Sequence, residues 1–299
     1  IGGTTTDMAV IRNRIPLLHP IGVRLGGFRT LIRSLETRSI GIGGDSSVKV
    51  SNGELIIGPE REGPAMAFGG SNPTPTDALF VLGEMTGGNR EAALRGMTAV
   101  AQDLGLSVED AAGRVFDHAC HRILSEAREL IDRINNRPVY TVQDLQQGDN
   151  VNPKVFLILG GPAPYFARRI EALSGSHVRV VPRWQVANAV GAAVARTTCE
   201  VMVFADTQLG IIRAPEENYS EKVKPDFSGS DAVDQAYRLL KRKALQIGAL
   251  DEDLEMEVLE DLQFNMVRGF LTTGKNLRVK VQVKPGLIRD YERWTAKFS

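Results

Sequence analysis

Cysteine is nearly absent from this 299-residue chain: there are two, Cys120 and Cys199. They lie far apart, each inside an apolar segment. That spacing suits neither a zinc cluster nor a disulfide framework, and a reducing, cytoplasmic setting is expected. Net charge is absent as well, because 36 Lys and Arg balance 36 Asp and Glu. No overall field draws the chain to nucleic acid or to an anionic membrane, so neither is an expected partner; a local basic patch stays open. No apolar run has membrane-spanning length, and no signal-peptide pattern opens the chain. Walker and dinucleotide fingerprints are missing, as are internal repeats and low-complexity tracts. The first residue is Ile1, not Met, and either processing or an upstream segment is expected to account for it. What is there is ordinary for a globular protein, 42% hydrophobic and 24% charged, with length for one large domain or two smaller ones.

The first third reads as strands, over 6–11, 20–28 and 38–51. A hairpin continues through the Asn52-Gly53 turn signal into 53–58. Residues 58–78 hold four prolines and several glycines, which predicts a long structured loop, and such loops usually have a function. Helices follow over 78–85, with Thr76 or Asp77 as the cap, over 89–105 with Gly105 as the C-cap signal, and over 108–135 behind a Ser107/Asp110 capping box. A buried strand at 154–159 runs into two glycines. Then come a helix at 164–175, a strand at 177–182, a small-residue helix at 184–198 and a strand at 200–207. Strand-strand-strand, helices, then β-α-β-α-β predicts a mixed sheet covered by helices. From about Ser220 the pattern changes to a polar linker, a helix near 231–247, an acidic helix near 251–264 and a strand at 276–288. Leu277, Val279, Val281 and Val283 give that last strand one buried face, and Lys275, Arg278, Lys280 and Lys284 make it basic.

Two stretches carry chemistry. Gly2-Gly3-Thr4-Thr5-Thr6-Asp7 stands before the first strand. A turn without Cβ atoms brings backbone N–H groups close to an anion, the threonine hydroxyls add donors, and a carboxylate at its edge can hold Mg2+ through water. The competing reading is a Gly-Thr turn with no ligand. Gly160-Gly161-Pro162-Ala163 follows the buried strand, at the carboxyl end where ligands sit in open α/β sheets. Alone, it is better explained by a tight strand-helix turn.

Taken together, the two turns on this element order resemble one lobe of the actin-like ATPase superfamily, a ribonuclease H-like α/β fold that includes sugar kinases and heat-shock chaperone ATPases. "IGGTTTDMAVI", "SIGIGGDSSV", "IIGPEREGPAMAFGGSNPTPTDALFVLG" and "GGPAPYFARRIEAL" narrow this to a resemblance to the hydantoinase A/5-oxoprolinase family, over roughly 1–207. The resemblance implies ATP-dependent cleavage of a small cyclic amide with Mg2+. Relatives pass through a phosphorylated substrate, and some are subunits of ATP-dependent carboxylases. It assigns Gly2, Gly3, Thr4, Thr5 and Thr6 to phosphate, and Gly160, Gly161, Pro162 and Ala163 to the adenosine side. Asp7 goes to Mg2+ and catalysis, and Asp45 to catalysis as well, with Ser46 as a polar contact in the inter-lobe cleft; an Asx turn is the alternative for Asp45. Members carry two phosphate hairpins. Only the second is visible here, without its leading aspartate, and the loop lacks the Cys members often carry. A missing N-terminal lobe or partner subunit is therefore expected, and an oligomer stays open.

The expected organisation is an actin-like lobe over 1–219, with a helical and loop insertion around 58–150, and a C-terminal α+β extension over 220–299. Asp77 divides evenly between facing nucleotide or metal and capping a helix. Asp117, His118, His121 and Glu126 have the residue types of a metal site, but a polar helix face is the stronger reading. Asn188 near the adenosine side competes with core packing by its small neighbours. The rival function is a non-hydrolase actin-like ATPase that serves as an activator or reactivating chaperone subunit.

Overall fold

The computed structural model describes residues 1–13, 15–19, 22, 24–25, 27–30, 34–137 and 150–291. Contacts divide the chain into two units, Ile1–Ala189 and Val190–Ser299. Both are mixed assemblies of helices and strands.

In the first unit, β1 (Thr6–Ala9) pairs antiparallel with β2 (Thr37–Ile40), Thr6 opposite Ile40. The strand expected over 20–28 lies partly outside the described residues; a two-residue ladder, Arg24–Leu25 with Phe28–Arg29, is described there. Strands β3 (Val48–Ser51) and β4 (Glu54–Ile57) form the expected hairpin. Its turn residues, Asn52 and Gly53, have φ of +53° and +76°, the pair of positive values that a two-residue type I′ turn requires. A parallel pair closes the unit: β5 (Phe156–Ile158) and β6 (Val178–Val180), joined through a helix, Ala163–Ser174.

Three helices precede that pair: α1 (Pro75–Val81), α2 (Arg90–Leu104) and α3 (Val108–Asn135). Two follow β5: α4, the crossover Ala163–Ser174, and α5 (Ala187–Val194). The Ser107 hydroxyl caps α3 by accepting the Asp110 N–H at 3.1 Å, and Gly105 ends α2 in the left-handed region, φ +65°, as local sequence signals require. The core lies between α1 to α4 and the strands. Phe116 of α3 meets Phe166 of α4 edge-on, ring centroids 4.8 Å apart, each such ring contributing about 2–3 kcal/mol by burial. Cys120 is fully buried there, and burial pushes its thiol pKa up to about 12. It acts as a small apolar side chain, not a nucleophile.

The single mixed sheet expected from the sequence is, among the described residues, six separate two-stranded ladders, three of them only two residues long. Glycine-rich turns at 41–44 and at Gly58 interrupt the pairing, and isolated backbone bonds replace it.

In the second unit, β7 (Glu200–Asp206), β8 (Ile211–Ala214), β9 (Tyr219–Lys222), β10 (Met256–Arg268) and β11 (Leu271–Val283) make one antiparallel sheet in the order β9-β8-β7-β11-β10. Helix α6 (Gly229–Gln246) lays Ala236, Leu239 and Leu240 on Val203, Val279 and Val281. The boundary expected at 219 falls inside this unit, because 200–206 pair with 276–282. The acidic helix expected at 251–264 is strand β10. Its carboxylates meet the basic strand across the ladder, Glu260 with Arg278 at 2.8 Å, and cross-strand pairing outweighs helix propensity. Among the described residues, no helix is long and apolar enough to cross a membrane.

Candidate functional site

Three loops of the first unit converge. The 43–46 loop docks on the opening hairpin, with Gly44 N–H on the Gly2 carbonyl at 2.9 Å and Asp45 N–H on the Gly3 carbonyl at 2.7 Å. A Cβ on Gly43 would lie 2.5–2.6 Å from the Gly2 and Gly3 backbone, so only glycine permits this approach. On its other side Gly44 faces Thr76 and Pro162; a Cβ there would lie 2.8 Å from Thr76 Oγ1 and 3.4 Å from Pro162 Cγ. The Ile1 nitrogen donates to the Leu159 carbonyl at 2.7 Å. Gly160, with φ +103°, packs so closely on Ile1 that a Cβ would overlap its carbonyl. The two Gly-Gly turns singled out in the sequence are thus neighbours.

The hairpin threonines have different fates. Thr6 is buried and its Oγ1 donates to the Ile42 carbonyl at 2.7 Å. Its one hydroxyl proton is used inside the fold, so the phosphate role expected for Thr6 does not suit its side chain. Thr4 and Thr5 lie on the outside. Thr4 Oγ1 accepts from Arg61 Nη1 at 2.9 Å, and Thr5 Oγ1 donates to Asp7 Oδ2 at 3.3 Å. The Gly3, Thr4 and Thr5 N–H groups have no partner among the described residues, which leaves three successive donors for an anion. Asp7 is exposed.

Asp45 is the most constrained acid of the site. Its Oδ2 takes Arg61 Nη2 at 2.9 Å, its Oδ1 accepts from Thr76 Oγ1 at 3.5 Å, and its side chain is 19% exposed. Burial raises its pKa above the ordinary carboxylate value, against the lowering effects of Arg61 and the Thr76 hydroxyl. Arg61 was not singled out by the sequence reading. It stands in the 58–78 loop, and its guanidinium joins Thr4 to Asp45 while Nε holds the Gly63 carbonyl. The signal available was only that so long a loop needs a reason.

Asp77 is drawn into the fold and not toward the cleft. Fully buried, it accepts from the Met66, Ala67 and Thr74 N–H groups and from Thr74 Oγ1, at 2.8–3.0 Å. The N-cap is Thr74, with Asp77 completing a capping box. Its job is to fold back the loop that presents Arg61. Asp117 is engaged by Arg169, and Glu126 by Arg38 and Arg122. Among the described residues no group of three His, Cys, Asp or Glu is placed to hold a metal ion. Asn188 is exposed on α5, whose residues are mostly exposed, so core packing does not explain it.

A Cβ on Gly161 would meet nothing within 4 Å. Glycine there answers no need of the chain itself and leaves the turn open. The buried Ser47 hydroxyl beside the 43–46 loop has no hydrogen-bond partner. Free N–H groups and an open glycine turn fit a phosphate-bearing ligand. One or two carboxylates suffice for Mg2+, which keeps most of its water and binds phosphate.

The hydantoinase/oxoprolinase family model matches residues 1–201. The chain belongs to the hydantoinase/oxoprolinase family. The convergent loops all lie inside the matched region. Among solved structures, acetone carboxylase, determined nucleotide-free in a study of ATP-dependent acetone carboxylation, is similar with a TM-score of 0.62 at 17% identity. The match covers 96% of this chain and 46% of that one, so the chain spans about half the length of this relative. At that identity the likeness concerns the fold. No curated protein matches the chain.

Proposed function

We propose that this chain is an actin-like nucleotide-binding lobe of an ATP-dependent hydrolase that opens a small cyclic amide, as in hydantoinases and oxoprolinases. One observation carries the reading: Gly44 is clasped between the Gly2 carbonyl on one side and Thr76 and Pro162 on the other. That contact brings the hairpin with its free N–H groups, Asp45 and the open Gly161 turn to one place.

Gly3, Thr4 and Thr5 N–H groups would hold phosphate oxygens, with Gly2 giving the backbone room and Thr4 Oγ1 adding a donor. Gly160 to Ala163 would border the adenosine, Gly161 leaving space and Ala163 opening α4. Asp7 would hold the Mg2+ shell through water. ATP supplies the phosphoryl group that activates the amide oxygen. Arg61 balances negative charge at the Thr4 corner, where fixed charge is most effective because it needs no reorganisation. Asp45, with its raised pKa, takes up a proton from the attacking group. A second lobe, in the same protein or a partner subunit, would cover the other side of the nucleotide.

The test is ATP turnover by the complete protein with hydantoin, 5-oxoproline or no amide. Turnover dependent on a cyclic amide is the expected result. Turnover indifferent to every amide would instead favour the activator or chaperone-type ATPase.

Asp7 gives a sharper check. It is exposed, and among the described residues the hydrogen bond to its carboxylate comes from Thr5 Oγ1. Asp7→Asn is expected to slow ATP turnover about tenfold, the scale of a water-mediated metal contact, with an unchanged melting temperature. A lowered melting temperature with normal turnover would make Asp7 a turn residue.

A further inference from the structure

A cleft of about 550 Å3 opens in the first unit between β2 and β4. Each of these strands has a partner on its far side, β1 and β3. Between their facing edges there is no ladder among the described residues. The strands close on each other only at one end. There a Cβ on Gly41 would lie 2.8 Å from Pro59 Cα, and one on Gly58 would overlap the Gly41 carbonyl. Beyond that point the edges diverge and α3 supplies the floor.

The two walls and the floor differ in chemistry. Ile42, Leu55 and Ile57 are buried apolar side chains that line the cleft. The floor carries His118, Arg122 and Glu126, with Arg38 at the rim. Glu126 is 5% exposed, and its Oε2 is taken by Arg38 Nε at 2.7 Å. Arg122 reaches only Oε1, at 3.4 Å, and its side chain is 54% exposed. One carboxylate therefore faces two guanidinium groups, and Arg38 takes the better contact. Arg122 keeps most of its donor fork for another acceptor. Burial, with Arg122 and Arg114 nearby, lowers the His118 pKa, so His118 adds little charge at neutral pH. The cleft thus presents one uncompensated cation against apolar walls.

The geometry points to a binding site, separate from the converging loops, for a small monocarboxylate with an apolar body. The guanidinium of Arg122 would take the carboxylate in the planar, two-pronged manner that Arg favours, and Ile42, Leu55 and Ile57 would cover the apolar part. A single guanidinium with donors to spare beyond its Glu126 contact suits one negative charge and not a polyphosphate. The volume is within the range of small-molecule sites. The closed end abuts the 43–46 loop, since a Cβ on Gly58 would lie 3.6 Å from Ser46 Cβ. The site needs no nucleotide and stands whether or not the proposed reaction is right.

Calorimetric titration of the purified protein with isocaproate and with isocaproamide, its uncharged counterpart, tests this. Isocaproate is expected to saturate one site, with the amide about tenfold weaker or worse. Arg122→Gln should remove that preference, weakening the acid about tenfold and leaving the amide unchanged, while Arg122→Lys retains part of it. Arg122 is half exposed, so the melting temperature should hold in both variants, and a melting curve verifies the fold. No saturation by isocaproate up to about 20 mM, equal binding of acid and amide, or unchanged acid binding in folded Arg122→Gln would each overturn the assignment.

Discussion

If the proposed function holds, Asp45→Asn is expected to slow ATP-dependent turnover about a hundredfold or more, the scale of a lost general base, while the protein melts no lower than the wild type. The two effects separate because of how the carboxylate is held. It is largely buried, and burial outweighs the Arg61 attraction, so its pKa stands above the ordinary value of 3.8. An acid whose pKa is raised on folding contributes stability below its unfolded pKa and loses it as pH rises through the folded value. At neutral pH the ionised Asp45 is thus a burden on the fold, tolerated beside Arg61 and Thr76. Asparagine is nearly the same size, keeps an acceptor for Arg61 and carries no charge. Its melting temperature should match or exceed that of the wild type above the folded pKa, with the gap closing as pH falls toward 3.8. Melting curves from pH 4 to 8 and turnover on the same variant check both halves, about those limits being set by the carboxylate range. Near-normal turnover would leave Asp45 as a support for Arg61.

Asp77→Ala has the opposite profile. Three backbone N–H groups and the Thr74 hydroxyl converge on a carboxylate with no exposed surface. Removing it strands buried donors at about 1–3 kcal/mol each, partly relieved by water, so a loss of about 4 kcal/mol is expected. Chemical denaturation measures it. The same carboxylate ties Met66 and Ala67 to the start of α1, so the loop that bears Arg61 loosens as well. Turnover should fall only as far as the folded fraction and the Arg61 position fall. A variant of wild-type stability would show that the loop is held by other contacts.

These two acids were not equally legible. Asp45 lies in a matched motif beside glycines, and the sequence marks it as a candidate; its Arg61 and Thr76 partners come only from the fold. Asp77 reads evenly as ligand or cap in the sequence, and four donors draw it into the fold as the third residue of a capping box whose N-cap is Thr74. Thr6 was grouped with Thr4 and Thr5 because the run looks uniform. Entry into β1 turns Thr6 inward to Ile42, because side chains alternate along a strand.

Some features follow from the sequence alone because their causes are local. The type I′ turn needs positive φ at Asn52 and Gly53, the α2 end needs Gly105, and the Ser107 cap needs a donor three residues on. Each is settled within about four positions by dihedral preference and one short hydrogen bond. The Gly-Gly turns and their strands belong to this class, and with them the family resemblance. The tertiary structure decided what depends on distant partners. Arg61 reaches Asp45 across 16 positions and Thr4 across 57. The acidic segment after Asp251 becomes a strand because a basic strand lies beside it. The unit boundary falls at Ala189 and not at 219 because β7 pairs with β11, far along the chain. Composition and periodicity describe one segment at a time, and a hydrogen-bond or charge partner brought near only by folding leaves no mark in them.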